Sequence, residues 1–149
     1  MINTAAVEKV EQHIDDAKAK GAKVKLGGQR HSLQGNFFQP TILTDVSPDS
    51  LLMNDETFGP VAPLLRFTDE RDVIRQANDT SLGLASYFYT RDIARVWRVA
   101  GALECGIVGI NEGIISSELA PFGGVKESGI GREGSKYGID DYIEINLNP

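Results

Sequence analysis

What most constrains this chain is an alternation of short β-branched and aromatic runs with amphipathic stretches long enough to be helices. From Thr4 to Lys20 the apolar positions Val7, Val10, Ile14 and Ala17 follow the spacing of one helix face. Asn3 or Thr4 is placed to cap its start and Gly21 to end it. Lys23–Leu26 alternates as a short strand, Gln29 to Asn36 reads as a loop, and Phe37 to Leu43 reads as a second strand, with Pro40 hinting at an edge. Val61 to Phe67 is predicted to be a buried strand broken by Pro63. A helix capped by Thr68 or Asp69 follows to about Asn78, with Val73, Ile74 and Ala77 inward. Gly83 to Tyr89 is a further strand, and Thr90 caps a helix whose stripe is Ile93, Val96, Trp97, Ala100 and Leu103. Trp97 reads there as core. Gly106 to Ile110 is an apolar strand leading to Asn111. Such alternation predicts an α/β domain with a mainly parallel sheet flanked by helices.

Charge and cysteine usage narrow the class. The 149 residues carry a formal net charge of -6, which argues against nucleic acid or an anionic membrane as partner. No uncharged apolar run is long enough to span a bilayer, and the start lacks the layout of a secretory signal. One cysteine, Cys105, makes no internal disulfide, so a cytoplasmic location is expected. Cys105 with His13, read as lying on an exposed helix face, and His31, in a polar loop, makes neither a zinc site nor a triad. No metal is expected, and Cys105 is read as a buried, inert thiol.

Two stretches carry the candidate chemistry. Asp55-Glu56-Thr57-Phe58-Gly59-Pro60 combines a carboxylate that can accept hydrogen bonds from a sugar diol with a ring that can lie against a flat heterocycle. The alternative is a surface acid and a core ring beside a turn. Asn111 to Gly138 is glycine-rich with little periodicity, and an irregular segment of that length is usually functional. Gly129-Ile130-Gly131-Arg132-Glu133-Gly134 spells a dinucleotide fingerprint. It lacks the preceding strand, the following helix and the later ribose-binding acid, so it reads as a turn-rich loop.

Glu56-Thr57-Phe58-Gly59-Pro60, taken with Ala120-Pro121-Phe122-Gly123-Gly124-Val125-Lys126-Glu127-Ser128-Gly129-Ile130-Gly131-Arg132-Glu133, resembles the aldehyde dehydrogenase superfamily over essentially the whole chain. Gly113 to Glu118 and Gly134 to Tyr142 look most like its succinate-semialdehyde-oxidising branch, which uses NAD or NADP. The resemblance implies that Glu56 binds the nicotinamide ribose hydroxyls and Phe58 packs beside the nicotinamide. It implies that Ser116 hydrogen-bonds the distal carboxylate of the substrate and Phe122 lines the aldehyde pocket. Asn111 falls where the family brings a strand end near substrate, with a structural role as the alternative. Arg132 and Glu144 match positions of salt bridges near a subunit interface, and Tyr142 to Leu147 matches an oligomerisation strand, which implies a homo-oligomer.

In that family a thiolate attacks the aldehyde, a hydride leaves to the nicotinamide, and water activated by a glutamate releases the acid. Both the cysteine and the glutamate precede the Glu56 motif by more residues than stand before it here, so no catalytic residue is expected in this chain. The resemblance therefore implies residues 1–141 as the C-terminal portion of a catalytic domain and 142–149 as oligomerisation strand and tail. The Rossmann cofactor domain would lie upstream. Alone, the chain is expected to be inactive; the alternative is a non-catalytic interaction module or the remnant of a broken gene.

Overall fold

Asn3 starts the first helix, its side-chain oxygen accepting the Ala6 amide at 2.8 Å, and α1 runs over Thr4–Ala19 until Gly21 turns the chain at φ 98°. The computed structural model describes residues 1–146. They fall into two units, one of Met1–Phe67 and one that begins at Thr68.

In the first unit, β1 (Lys23–Leu26), β2 (Thr41–Thr44) and β3 (Val61–Leu64) form one sheet in that order. β1 and β2 pair antiparallel, with an irregularity between Val24 and Leu26, while β2 and β3 pair parallel from Thr41↔Val61 to Thr44↔Leu64. The short helix α2 (Leu51–Asn54) lies in the crossover that parallel pairing requires. Pro63 does not break β3. It pairs with Leu43 in a strand at the sheet's edge, where a missing N–H is tolerated. The predicted strand from Phe37 is shorter than expected, with Phe38 joined only by an isolated bridge to Arg30. Val7, Val10, Ile14 and Ala17 of α1 bury themselves with Ala22, Phe38, Leu43 and Val46. Burying each of the larger side chains is worth roughly 1.5–3 kcal/mol.

The second unit comprises α3 (Glu70–Asn78), β4 (Leu82–Gly83), β5 (Ala85–Phe88), α4 (Ile93–Ala100), β6 (Ile107–Ile110), β7 (Val125–Lys126) and a 3₁₀ turn at Asp140–Tyr142. β5 and β6 pair parallel across α4, and β4 pairs antiparallel with β7, which the glycine-rich segment brings back. The sheets are thus small and mixed rather than one mainly parallel sheet. Strands of two to four residues cannot build a larger one, and only the helical crossovers impose parallel sense.

Several local expectations are corrected. Asp92, not Thr90, caps α4, accepting the amides of Ala94 and Arg95; the Thr90 hydroxyl accepts the Asp92 amide instead. Only Val99 of α4 is buried, with Val96 and Leu103 half-buried, so the inward stripe is rotated from the predicted one. Trp97 is 77% exposed and Ile93 70% exposed. Ala77 of α3 is exposed too, though Val73 and Ile74 are half-buried. Among the described residues, Tyr142 ends the 3₁₀ turn and residues 143–146 pair with no strand of this chain; the expected oligomerisation strand would find its partner in a second subunit. Leu147, Asn148 and Pro149 lie outside the described residues. Among the described residues, no helix is long and apolar enough to cross a membrane, and no group of His, Cys, Asp or Glu is placed to hold a metal ion.

Candidate functional site

The Glu56 motif is a loop clamped onto α1. It leaves α2 with the Asp55 amide donating to the Leu51 carbonyl at 2.8 Å and enters β3 with the Thr41 amide donating to the Pro60 carbonyl at 2.8 Å. Between these anchors the Lys9 ammonium donates to the Glu56 carbonyl. His13 Nδ1 lies 2.9 Å from the Thr57 hydroxyl. A Cβ on Gly59 would sit 2.4 Å from Val10 Cγ2, so only glycine lets the loop approach the helix this closely. Lys9, Val10 and His13, adjacent on one helix face, therefore hold three successive parts of the loop.

This grip shapes what the loop presents. Phe58 adopts φ 47°, a region costing a non-glycine residue roughly 1–3 kcal/mol, and its ring is 87% exposed. The predicted alternative of a core ring is therefore not what the fold shows. Glu56 is exposed, and its carboxylate enters no ion pair or hydrogen bond among the described residues. An acceptor-only carboxylate beside an uncovered aromatic face fits a vicinal diol and a flat ring, the two parts of a nicotinamide ribose unit.

His13 itself is corrected from exposed to buried, with 2% of its side chain accessible. The signal was in the spacing, since it follows Val10 by three residues and precedes Ala17 by four. Burial pushes its imidazole down, the Lys9 charge adds to this, and Asp55 and Asp16 act in the opposite sense. The Asp55 carboxylate lies 3.9 Å from Nε2. At that distance the two are not hydrogen-bonded, but a nearby carboxylate favours the proton on Nε2, and in that tautomer Nδ1 accepts the Thr57 hydroxyl.

In the second unit, Ser116, Ser117, Glu118, Phe122, Glu133 and Gly134 line an open depression of about 490 Å³. The structure thus brings the predicted Ser116 and Phe122 together. Phe122 and Glu133 exchange both backbone hydrogen bonds, at 2.8 and 2.7 Å, which fixes one wall; the Ser135 amide donating to the Glu118 carbonyl at 2.8 Å fixes another. A Cβ on Gly123 would lie 2.2 Å from the Gly131 carbonyl oxygen, so this glycine permits the two limbs to meet. Glu118 and Glu133 are the charged lining groups and both are acidic, so the depression alone does not attract an anion.

Neighbouring expectations resolve as follows. Asn111 is structural here: its side chain accepts the Thr90 amide and donates to the Thr90 carbonyl, both at 2.8 Å. Arg132 forms no ion pair among the described residues. Its guanidinium donates instead to the carbonyls of Gly124, Ile130 and Gly131, bracing the glycine-rich loop. Glu144 is exposed and likewise unpaired among the described residues. Cys105 is half-buried, its thiol donating to the Ile107 carbonyl at 3.1 Å. Gly129 to Gly134 is an irregular segment with bends, its Glu133 in an isolated bridge to Phe122, and no helix opens on it.

Comparison with known proteins gives this fold its family. The sequence profile of the aldehyde dehydrogenase family matches residues 1–147, and the chain belongs to that family. It is 66% identical over 145 residues to the NADP(+) succinate-semialdehyde dehydrogenase GabD of Escherichia coli K12, covering 97% of this chain and 30% of the relative. It is 64% identical over 145 residues to the glutarate-semialdehyde dehydrogenase of Pseudomonas aeruginosa, with the same shares covered. The crystal structure of succinate-semialdehyde dehydrogenase from Burkholderia pseudomallei superimposes with a TM-score of 0.93 at 65% identity, over 95% of this chain and 30% of that one. The chain thus spans about 30% of the length of the relatives it matches.

Proposed function

We propose that this chain is the C-terminal portion of a nicotinamide-dependent semialdehyde dehydrogenase, the catalytic-domain part being residues 1–141. Glu56 and Phe58 hold the nicotinamide ribose, and Ser116 and Phe122 orient the aldehyde. The exposed, unpaired pair Glu56 and Phe58, rigidly backed by α1, is the observation that carries this reading. When bound, NAD or NADP supplies the hydride acceptor. Glu56 accepts hydrogen bonds from the ribose hydroxyls and Phe58 covers one face of the ring, so these residues position rather than make bonds. The Ser116 hydroxyl donates to the distal carboxylate of succinate semialdehyde, and Phe122 walls the apolar part of the substrate. Glu118 and Glu133 line the same depression, and the family resemblance implies that the cation pairing with that carboxylate lies outside this chain. The relative named for glutarate semialdehyde, one methylene longer, is nearly as similar, so overall similarity does not set the substrate's chain length.

The nucleophilic cysteine and the base belong to the same outside polypeptide, so the isolated chain turns over no aldehyde. The intact enzyme is read as a cytoplasmic homo-oligomer. The test is a chimera in which these residues replace the matching stretch of the Escherichia coli relative. Turnover of succinate semialdehyde by the chimera, with S116A raising KM for it, is the expected result. NAD(P)H formation by the purified chain alone, or an inactive but folded chimera, contradicts the reading.

A further inference from the structure

We infer that His13 is a positioning residue for the nicotinamide-facing loop, setting through Thr57 the direction in which Glu56 and Phe58 point. The inference rests on the proposed roles of those two side chains and adds a group on another element that controls them. Three observations converge. His13 is buried among the apolar residues of α1, where a polar ring is retained at a cost unless it is bonded. Its one hydrogen-bond partner among the described residues is the Thr57 hydroxyl, which stands between Glu56 and Phe58. Phe58 is held in a left-handed conformation that its own backbone disfavours, so neighbouring contacts must over-determine it. Lys9 on the Glu56 carbonyl and Val10 against Gly59 hold the flanks, and among the described residues His13 is the group hydrogen-bonded to a side chain inside the strained stretch.

The tie is sensitive to protonation. A second proton would occupy Nδ1 and turn it from acceptor to donor, so that the Thr57 hydroxyl must rotate to accept, and would place a cation near Lys9. From α1 the ring is faced by Lys9 and Asp16, and from the loop by Asp55. Because the folded imidazole titrates below the ordinary histidine range, the contribution of neutral His13 is complete above that range. It is lost as pH falls below that range through the lower folded value.

The experiment is nuclear magnetic resonance on the full 149-residue chain, reading the amides of Glu56 and Phe58 and the Phe58 ring. H13L fills the volume without the bond and should shift or broaden these signals while those of β1 and β2 stay in place. H13N puts an amide where Nδ1 stands and should restore them, which a purely space-filling role would not predict. T57V removes the same bond from the loop side, without touching the core, and should reproduce H13L even if H13L fails to fold. In the unaltered chain, the Phe58 amide should titrate with the midpoint of the His13 ring. Unmoved Glu56 and Phe58 signals in T57V, or a Phe58 amide blind to His13 titration, overturn the inference. Failure of the underlying reading looks different: the loop responds as described, yet E56Q leaves cofactor KM unchanged in the chimera.

Discussion

The two units solve the same problem with different forces. The first closes an apolar core in which Val7, Val10, Ile14, Ala17 and Leu43 are buried together. In the second, Val99 is the buried hydrophobic among the described residues, and large apolar side chains such as Trp97, Ile114, Leu119 and Ile130 are exposed. What holds the second unit is a set of polar clamps. Glu70 of α3 accepts Arg95 and Arg98 of α4 at 2.5 and 2.6 Å, and Asn78 joins the ends of both helices through Ala102 and Glu104 at 2.8 Å each. Asn111 ties the ends of β5 and β6, and Arg132 ties the glycine-rich loop. A core carries a rigid loop such as the Glu56 motif. Directional clamps leave apolar surface uncovered, and surface of that kind promotes association.

The contrast can be broken from the core first. L43A removes a fully buried side chain at the centre of β2 and should destabilise the chain by about 2–5 kcal/mol in chemical denaturation. A loss below about 1 kcal/mol would mean that the core does not dominate the first unit. N78A removes two side-chain bonds to backbone, leaves the Glu104 amide without its acceptor, and should cost about 0.5–1.5 kcal/mol. Hydrogen exchange at Glu104 should accelerate, while protection of β2 stays unchanged. N3A, which strips the α1 cap, should cost about 1 kcal/mol and loosen only the first turn.

The ionic clamp sharpens the comparison through pH. Arg98, and then Arg95, hold the Glu70 carboxyl down to about 2. Since the folded value is depressed, its contribution is present above the ordinary glutamate range and is lost as pH falls toward about 2. Carboxyl resonances should show Glu70 titrating well below the exposed glutamates, and a midpoint in the ordinary range would dissolve the clamp. The smallest effect belongs to the surface. W97Q should change stability by no more than about 0.5 kcal/mol, and the single tryptophan should be freely quenched by acrylamide.

These regions were not equally legible in the sequence. α1 and its cap could be read because Asn3, the apolar spacing and Gly21 are local signals that agree. The Glu56 loop could be read as chemistry, but its support could not, because His13 and Lys9 meet it only after the chain has folded back over more than forty residues. Trp97 misled for a physical reason: apolar spacing shows that a face is sticky, not that anything within this chain covers it. Tyr142 to Asn146 has strand-like composition, and a single chain offers it no strand to pair with among the described residues. Ser116 and Phe122 share a depression because glycines let distant limbs close, a juxtaposition that spacing alone does not reveal.

The central claim is that Glu56 faces the cofactor. The direct measurement is KM for the nicotinamide cofactor and for the aldehyde, with kcat, in the chimera carrying this chain and in its E56Q variant. The account predicts a cofactor KM raised about tenfold or more, in line with the loss of a charge-assisted hydrogen bond, and an aldehyde KM little changed. An unchanged cofactor KM in a folded E56Q chimera would contradict it.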